Sequence, residues 1–356
     1  MPALPVVGPR PPRLLAALVA LAFAAPALTA CAGSAAGGDA APAAARTAAL
    51  PTAVPAGTEL RVGDQNDLLQ TLLSASGQDK DLPYKLTYGK FQGGPAILEA
   101  FRGGSLDVGI VAETPAIFAQ AAAQDVKVVG VVQSSKDAVH IVTSPGSSAQ
   151  KVADLKGRKI AYTQGTTFQP AVLKALKNAG LTPSDVTLVN LTPLDVPAAL
   201  ASGQVDAGVV TEPLGTKYLV ANKDKGAHEL ADDKGLNSGL QFLVAPGAAL
   251  RDEARTAALR DLSARFTRAE LWLAEHQQDW VRAYFTGVQK LPQEVGEAVV
   301  ANNGKPTIPD YATAISQQQQ VADLLAEAHA IPGKLDVSAE FDTRFDAVQQ
   351  AAKSAP

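Results

Sequence analysis

At 356 residues the chain has room for about two to three ordinary domains, and with 47% apolar and 19% charged residues it reads as a soluble globular protein. A formal net charge of −4 without any run of Lys or Arg excludes the electrostatic footprint of a nucleic-acid partner. The single cysteine, Cys31, excludes an intramolecular disulfide and a four-cysteine zinc site.

The chain opens as an export signal. Arg10 and Arg13 precede an apolar stretch at 14–27, and Leu28-Thr29-Ala30-Cys31-Ala32-Gly33-Ser34 supplies small residues with a cysteine directly after them. The apolar stretch is short for a bilayer span. The segment resembles a bacterial lipoprotein signal, which implies removal of residues 1–30 and a lipid on Cys31, anchoring the protein at the outer, extracytoplasmic face of the cytoplasmic membrane. Residues 31–57 are mostly Ala, Gly, Pro and Thr and have too few large apolar side chains to bury, so a disordered tether is expected there.

From residue 58 the pattern alternates. Strands are expected at 59–63, 85–88, 106–111, 127–132, 138–143, 159–162, 186–190, 207–210 and 240–245, with helices between them at 67–76, 95–102, 115–123, 168–179, 194–202 and 213–221. That alternation predicts an α/β protein with mostly parallel strands. After Pro246 only helical patterns follow, at 251–277, 279–285, 293–302, 312–330 and 339–351.

One pattern occurs twice. GSLDVGIVAE at 104–113 recurs as GQVDAGVVTE at 203–212, an offset of one lobe rather than of a solenoid repeat. In each copy a glycine stops a helix, a strand of small residues follows, and a glutamate and a proline open the next helix. Ligands of open α/β sheets bind beyond the carboxyl ends of the strands, where Glu113 and Glu212 fall. The glycines, Asp107 and Asp206 read as fold grammar. Glu113 and Glu212 stay open between helix-dipole compensation and ligand contact.

Catalytic signatures are missing. His140, His228, His276 and His329 form no metal-binding spacing, and no nucleophile elbow, P-loop or dinucleotide turn occurs. The SxxK match at 148–151 lacks its companion motifs. No enzyme, no metal and no cofactor are expected. Three segments instead put small or hydroxylated residues at helix starts: Phe91-Gln92-Gly93-Gly94-Pro95, Glu113-Thr114-Pro115, and Gly165-Thr166-Thr167-Phe168 after the strand ending at Tyr162. Glycine admits a ligand to the backbone, and threonine hydroxyls with unpaired helix N–H groups can donate to an oxyanion or simply cap the helix.

These segments, together with GSLDVG at 104–109 and KVADLKGRKI at 151–160, resemble the aliphatic sulfonate, taurine and nitrate substrate-binding proteins of ABC importers. The resemblance implies a two-lobed type II periplasmic-binding fold with an interlobe ligand cleft and a helical C-terminal extension. It places lobe 1 at 58–145, lobe 2 at 146–240 and a return to lobe 1 with helices at 241–356. It also implies a monomer that delivers a small anionic or zwitterionic solute to a permease and its ATPase. By position, Gln65, Gly93, Gly94, Thr114 and Gly165 to Phe168 line the cleft, and the hinge falls near 143–148 and 240–246. Glu113 stands where the family has aspartate, and Thr211 where it often has an aromatic residue. With Asp64, Glu113 and Glu212 near one pocket, a bare dianion would be repelled, so an aminosulfonate such as taurine is expected. Nitrate is an alternative, as is a thiamine-type pyrimidine precursor, for which only Phe91 and Phe168 offer stacking.

Overall fold

The computed structural model describes residues 48–354. Cys31, the signal at 1–30 and most of the tether therefore lie outside the described residues. Of the remainder of the tether, Leu50 and Val54 pack against the first core cluster, so residues 48–57 already belong to the folded body.

The elements alternate as β1 (Glu59–Gln65), α1 (Leu68–Ala75), β2 (Lys85–Phe91), α2 (Gly94–Arg102), β3 (Val108–Ala112), α3 (Glu113–Ala121) and β4 (Val126–Gln133), then β5 (Val139–Thr143), β6 (Lys159–Tyr162), α4 (Phe168–Asn178), β7 (Thr187–Asn190), α5 (Val196–Ala201), β8 (Ala207–Thr211), α6 (Leu214–Asn222) and β9 (Leu240–Pro246). The tail adds α7 (Gly247–Leu250), α8 (Glu253–Glu275), α9 (Gln277–Trp280), a π-helical stretch Val281–Val288, α10 (Gln293–Asn303), α11 (Tyr311–Glu327) and α12 (Arg344–Ser354). The last helix begins later than its periodicity suggests, because Val337–Glu340 forms a separate 3₁₀ turn first.

Two sheets result, ordered β2-β1-β3-β9-β4 and β5-β8-β6-β7. In the first, β1 runs parallel to β2 and β3, and β9 lies antiparallel beside β3. In the second, β6 runs parallel to β7 and β8, and β5 lies antiparallel beside β8. The two sheets thus share one plan, as the duplicated decapeptide predicts. Its residues do the same work in both copies. Asp107 accepts from the backbone N–H of Arg61 at 2.9 Å and Asp206 from that of Lys159 at 2.8 Å, each extending a parallel pair by one rung. A methyl group at Gly109 would stand 2.8 Å from Ile97 Cγ2, and one at Gly208 would stand 2.8 Å from Val196 Cγ1, so both glycines let a helix lie directly on its strand.

The first sheet is packed by Leu60, Val62, Phe242, Leu243 and Phe266, the second by Ile141, Ile160 and Leu173 on one face and by Val142, Leu200 and Tyr218 on the other. Each fully buried Leu, Ile, Val or Phe is worth roughly 1.5–3 kcal/mol against exposure. The tail serves both lobes. Tyr311 and Ala314 of α11 join the first cluster, Ala322 and Leu325 join the second, and Ile315 touches both.

The boundary between lobes differs from expectation. β5 lies inside the span assigned to lobe 1, yet it pairs with β8 of the second sheet, so the chain crosses at 134–138 and returns at 237–239, not at 143–148 and 240–246. The two crossings are bonded to each other: Ser134 N–H donates to Gly239 O at 2.9 Å and Gln133 Nε2 to Ser238 O at 2.7 Å. Gly239 has φ +75°, and a side chain there would meet Ser134 O at 2.4 Å. The segment between α10 and α11 straps this junction, with Ser135 N–H donating to Asn303 O at 2.9 Å and Thr307 N–H to Gln133 O at 2.8 Å.

Candidate functional site

The helix starts singled out by the sequence come together at the carboxyl ends of the strands. Gly94 opens α2 against the start of α3; a side chain on it would stand 2.5 Å from Pro115 Cγ, so only glycine permits this approach. Across the lobes, a methyl on Gly165 would lie 4.0 Å from Pro95 Cγ. The loop before α4 therefore faces the start of α2. Gly93 and Gly165 have φ +86° and +72°, a region that side chains disfavour, and both are half-buried.

The α4 loop is held by its own side chains. Thr166 Oγ1 donates to Thr163 O at 2.9 Å and accepts from Phe168 N–H at 3.3 Å, Gly165 N–H donates to Gln169 Oε1 at 2.9 Å, and Gln164 N–H donates to Asn190 Oδ1 at 2.9 Å. Thr167 sits at the N-cap and makes no capping bond with its side chain. Thr114 is fully buried beside Pro115, and its hydroxyl has no hydrogen-bond partner. An unmet buried hydroxyl is costly, so it marks a place where a group is wanted.

Other expected contacts are taken by the fold. Phe168 is 4% exposed and packs in the second core cluster with Ile160 and Leu173, because its position faces the sheet rather than the cleft. Phe91 is half-buried and leans on the first cluster. Gln65 spends its amide on Ile110 O at 2.8 Å, tying the end of β1 to β3.

The three carboxylates have separate fates. Asp64 is buried and caps α1, accepting from Leu69 and Gln70 N–H at 3.0 and 2.9 Å; burial still pushes its pKa above the ordinary value. Glu212 caps α6 through Thr216, whose hydroxyl donates to Oε1 at 2.9 Å, and takes a further bond from Asn302 Nδ2 of α10 at 2.7 Å. Glu113 is 1% exposed, with one oxygen lacking a partner, and burial pushes its pKa up to about 7. A hydrogen bond from Ser238 on the return crossing opposes that rise only in part. The pocket thus carries less negative charge than three free carboxylates would. Asn302 and Ser238 were not legible as partners, since neither lies in a motif and both arrive from distant parts of the chain.

Two surface hollows of about 330 and 320 Å³ lie elsewhere, one between α5 and α6 lined by Leu194 and Tyr218, the other beside Gly57 and Tyr84. Neither includes a residue expected at the site. No helix among the described residues is long and apolar enough to cross a membrane.

Comparison with known proteins places this arrangement. A family profile described as NMT1/THI5 like matches residues 86–230. An aliphatic sulfonates-binding protein of Escherichia coli (strain K12) is 34% identical over 282 residues, covering 78% of this chain and 86% of the relative. The alkanesulfonate-binding protein SsuA from Xanthomonas axonopodis pv. citri, solved bound to MOPS, is 29% identical, covers 82% of this chain and 99% of its own, and superposes with a TM-score of 0.69. The desulfurization enzyme DSZB shares the fold at 15% identity, with a TM-score of 0.59 over 83% of this chain and 99% of its own.

Proposed function

The chain belongs to the family of aliphatic-sulfonate-binding proteins with the periplasmic-binding fold, and on that premise we propose that it is the extracytoplasmic solute-binding component of an ABC importer, holding a small alkanesulfonate between its lobes for a permease and its ATPase. One observation carries the reading. The starts of α2 and α4, on different lobes, face each other closely enough that a methyl group on Gly165 would touch Pro95 at 4.0 Å, so two positive helix ends point to one place. A sulfonate group has one charge spread over three acceptor oxygens and no proton to donate, which suits N–H and hydroxyl donors. Thr114 and Thr167 supply hydroxyls, Gly93 and Gly94 give access to backbone, and the Thr166 hydroxyl and Gly165 N–H are spent on holding the α4 loop in place.

The electrostatic reason for an amino group on the ligand is weaker in the fold than in the sequence. Asp64 and Glu212 are occupied by helix ends, and Glu113 is largely neutral below about pH 7. Plain alkanesulfonates therefore rank above taurine. Calorimetric titration with ethanesulfonate, taurine, MOPS, sulfate and nitrate tests the order; tighter binding of taurine, sulfate or nitrate than of ethanesulfonate would reject it. Thr114→Val should keep the fold, since the hydroxyl has no internal partner, and should weaken ethanesulfonate by about tenfold or more, the loss of one bond to a charged group.

Lipidation of Cys31 completes the reading, because a tethered receptor stays at high effective concentration near its permease. Cys31→Ser should release the protein from membranes while leaving calorimetric affinity unchanged; reduced affinity would show that anchor and cleft are not separate.

A further inference from the structure

His140, two residues beyond the first crossing, is 5% exposed and stands among acids. On one side of its ring Nδ1 is 3.2 Å from Glu229 Oε1 and 3.9 Å from Asp233 Oδ2, and on the other Nε2 is 3.6 Å from Glu212 Oε1. Despite these distances neither ring nitrogen has a hydrogen bond of acceptable geometry. Asp233 is fully buried; its Oδ2 accepts from Ile141 N–H at 2.8 Å, and its Oδ1 has no hydrogen-bond partner. These three buried polar atoms are held by ion-pair contacts alone, His140 facing the acids and Asp233 Oδ1 facing Lys234 Nζ at 3.7 Å, without the well-aligned hydrogen bonds that buried groups nearly always make.

One ligand atom from each of His140, Glu229 and Asp233 lies within 4.8 Å of the others. Bonds of about 2.1 Å at tetrahedral angles set ligand atoms about 3.4 Å apart, so a sub-rotamer contraction closes the set. We propose that His140, Glu229 and Asp233 form a site for a divalent transition-metal ion of the zinc class. One imidazole with two carboxylates offers neutral balance to a dication, and the imidazole favours zinc over calcium or magnesium. Glu212 beyond Nε2 is placed to orient the ring as an outer carboxylate. The competitor is internal: Lys234 Nζ sits 2.5 Å from Glu229 Oε1, but its side chain is 59% exposed and can swing into solvent. No sequence spacing betrays the set, because His140 on β5 is separated from the acids by the other three strands of the second sheet, β6, β7 and β8. The inference does not rest on the sulfonate reading, since none of His140, Glu229 and Asp233 belongs to the start of α2 or α4.

The test is equilibrium dialysis of the EDTA-treated full chain against Zn²⁺, with thermal unfolding alongside. The wild type should take up one Zn²⁺ per chain that raises the melting temperature, with Ca²⁺ bound far more weakly. Glu229→Gln, at the partly exposed rim, should fold and lose affinity by at least about tenfold. Lys234→Met should gain affinity. His140→Gln is the sharper change but risks the fold, so Glu229→Gln decides. Absence of Zn²⁺ uptake, or equal uptake by wild type and Glu229→Gln, as binding at surface histidines would give, overturns the proposal.

Discussion

Replacing Glu113 by Gln should remove a pH dependence of stability that a buried acid imposes. Its carboxyl is 1% exposed and its pKa is pushed from 4.5 up to about 7 by burial. A group that holds its proton more tightly when folded contributes fully below the unfolded value of 4.5, and that contribution is lost as pH rises through about 7. The interval is about 2.5 pH units, which at 1.36 kcal/mol per unit amounts to about 3 kcal/mol, most of it lost between pH 5 and pH 8. Gln cannot titrate. It adds a pH-independent cost of about 1–3 kcal/mol if its second N–H finds no partner, so absolute stability at one pH is a poor readout. The informative quantity is the difference between wild type and Glu113→Gln, which also cancels the other buried acids, including Glu340 at about 8. Urea unfolding of both proteins at pH 5, 6, 7 and 8 should show the variant gaining about 2–3 kcal/mol relative to wild type across that range. A difference constant to within about 0.5 kcal/mol would refute the reasoning and mean that solvent reaches the carboxylate.

If the sulfonate lies near Glu113, its charge favours the protonated acid, so wild-type affinity for ethanesulfonate should fall as pH rises past about 7 and Glu113→Gln should abolish that fall, read by calorimetry at pH 6 and pH 8. The duplicated aspartates should separate in cost. Asp107→Asn breaks a two-pronged bond to Arg61, at 2.9 Å on both oxygens with the carboxylate buried, and should cost about 2–3 kcal/mol in urea unfolding. Asp206→Asn alters a carboxylate whose side chain is 39% exposed and should cost under about 1 kcal/mol; equal losses would contradict this account. Gly109→Ala should lower stability by about 1–3 kcal/mol, because the new methyl group meets Ile97 at 2.8 Å and Gly63 O at 3.2 Å, and an unchanged melting temperature would show that α2 yields freely.

Much of the architecture was readable along the chain. Alternating strands and helices announced the α/β plan, and the two decapeptides announced the duplication, because a strand laid under a helix demands glycine at Gly109 and Gly208 wherever it occurs. The site was half readable. Gly93, Gly94, Thr114 and Gly165 do gather at facing helix starts, since glycine and threonine before a helix are local requirements with local signatures. Phe168 was not readable as core, because one position of rotation at a helix start separates cleft from sheet.

What the sequence by itself determined is the order of elements, the repeat and the chemistry available at each helix start, for those depend on neighbours within a few residues. The tertiary structure alone decided where the chain crosses between lobes, since β5 is assigned by pairing His140 with Val210, seventy residues away. It alone decided the charge at the site. Three acidic letters look alike in a sequence, but Asp64 is spent on α1, Glu212 on α6 and Asn302, and Glu113 is left to hold its proton, because burial and partners belong to the packed molecule.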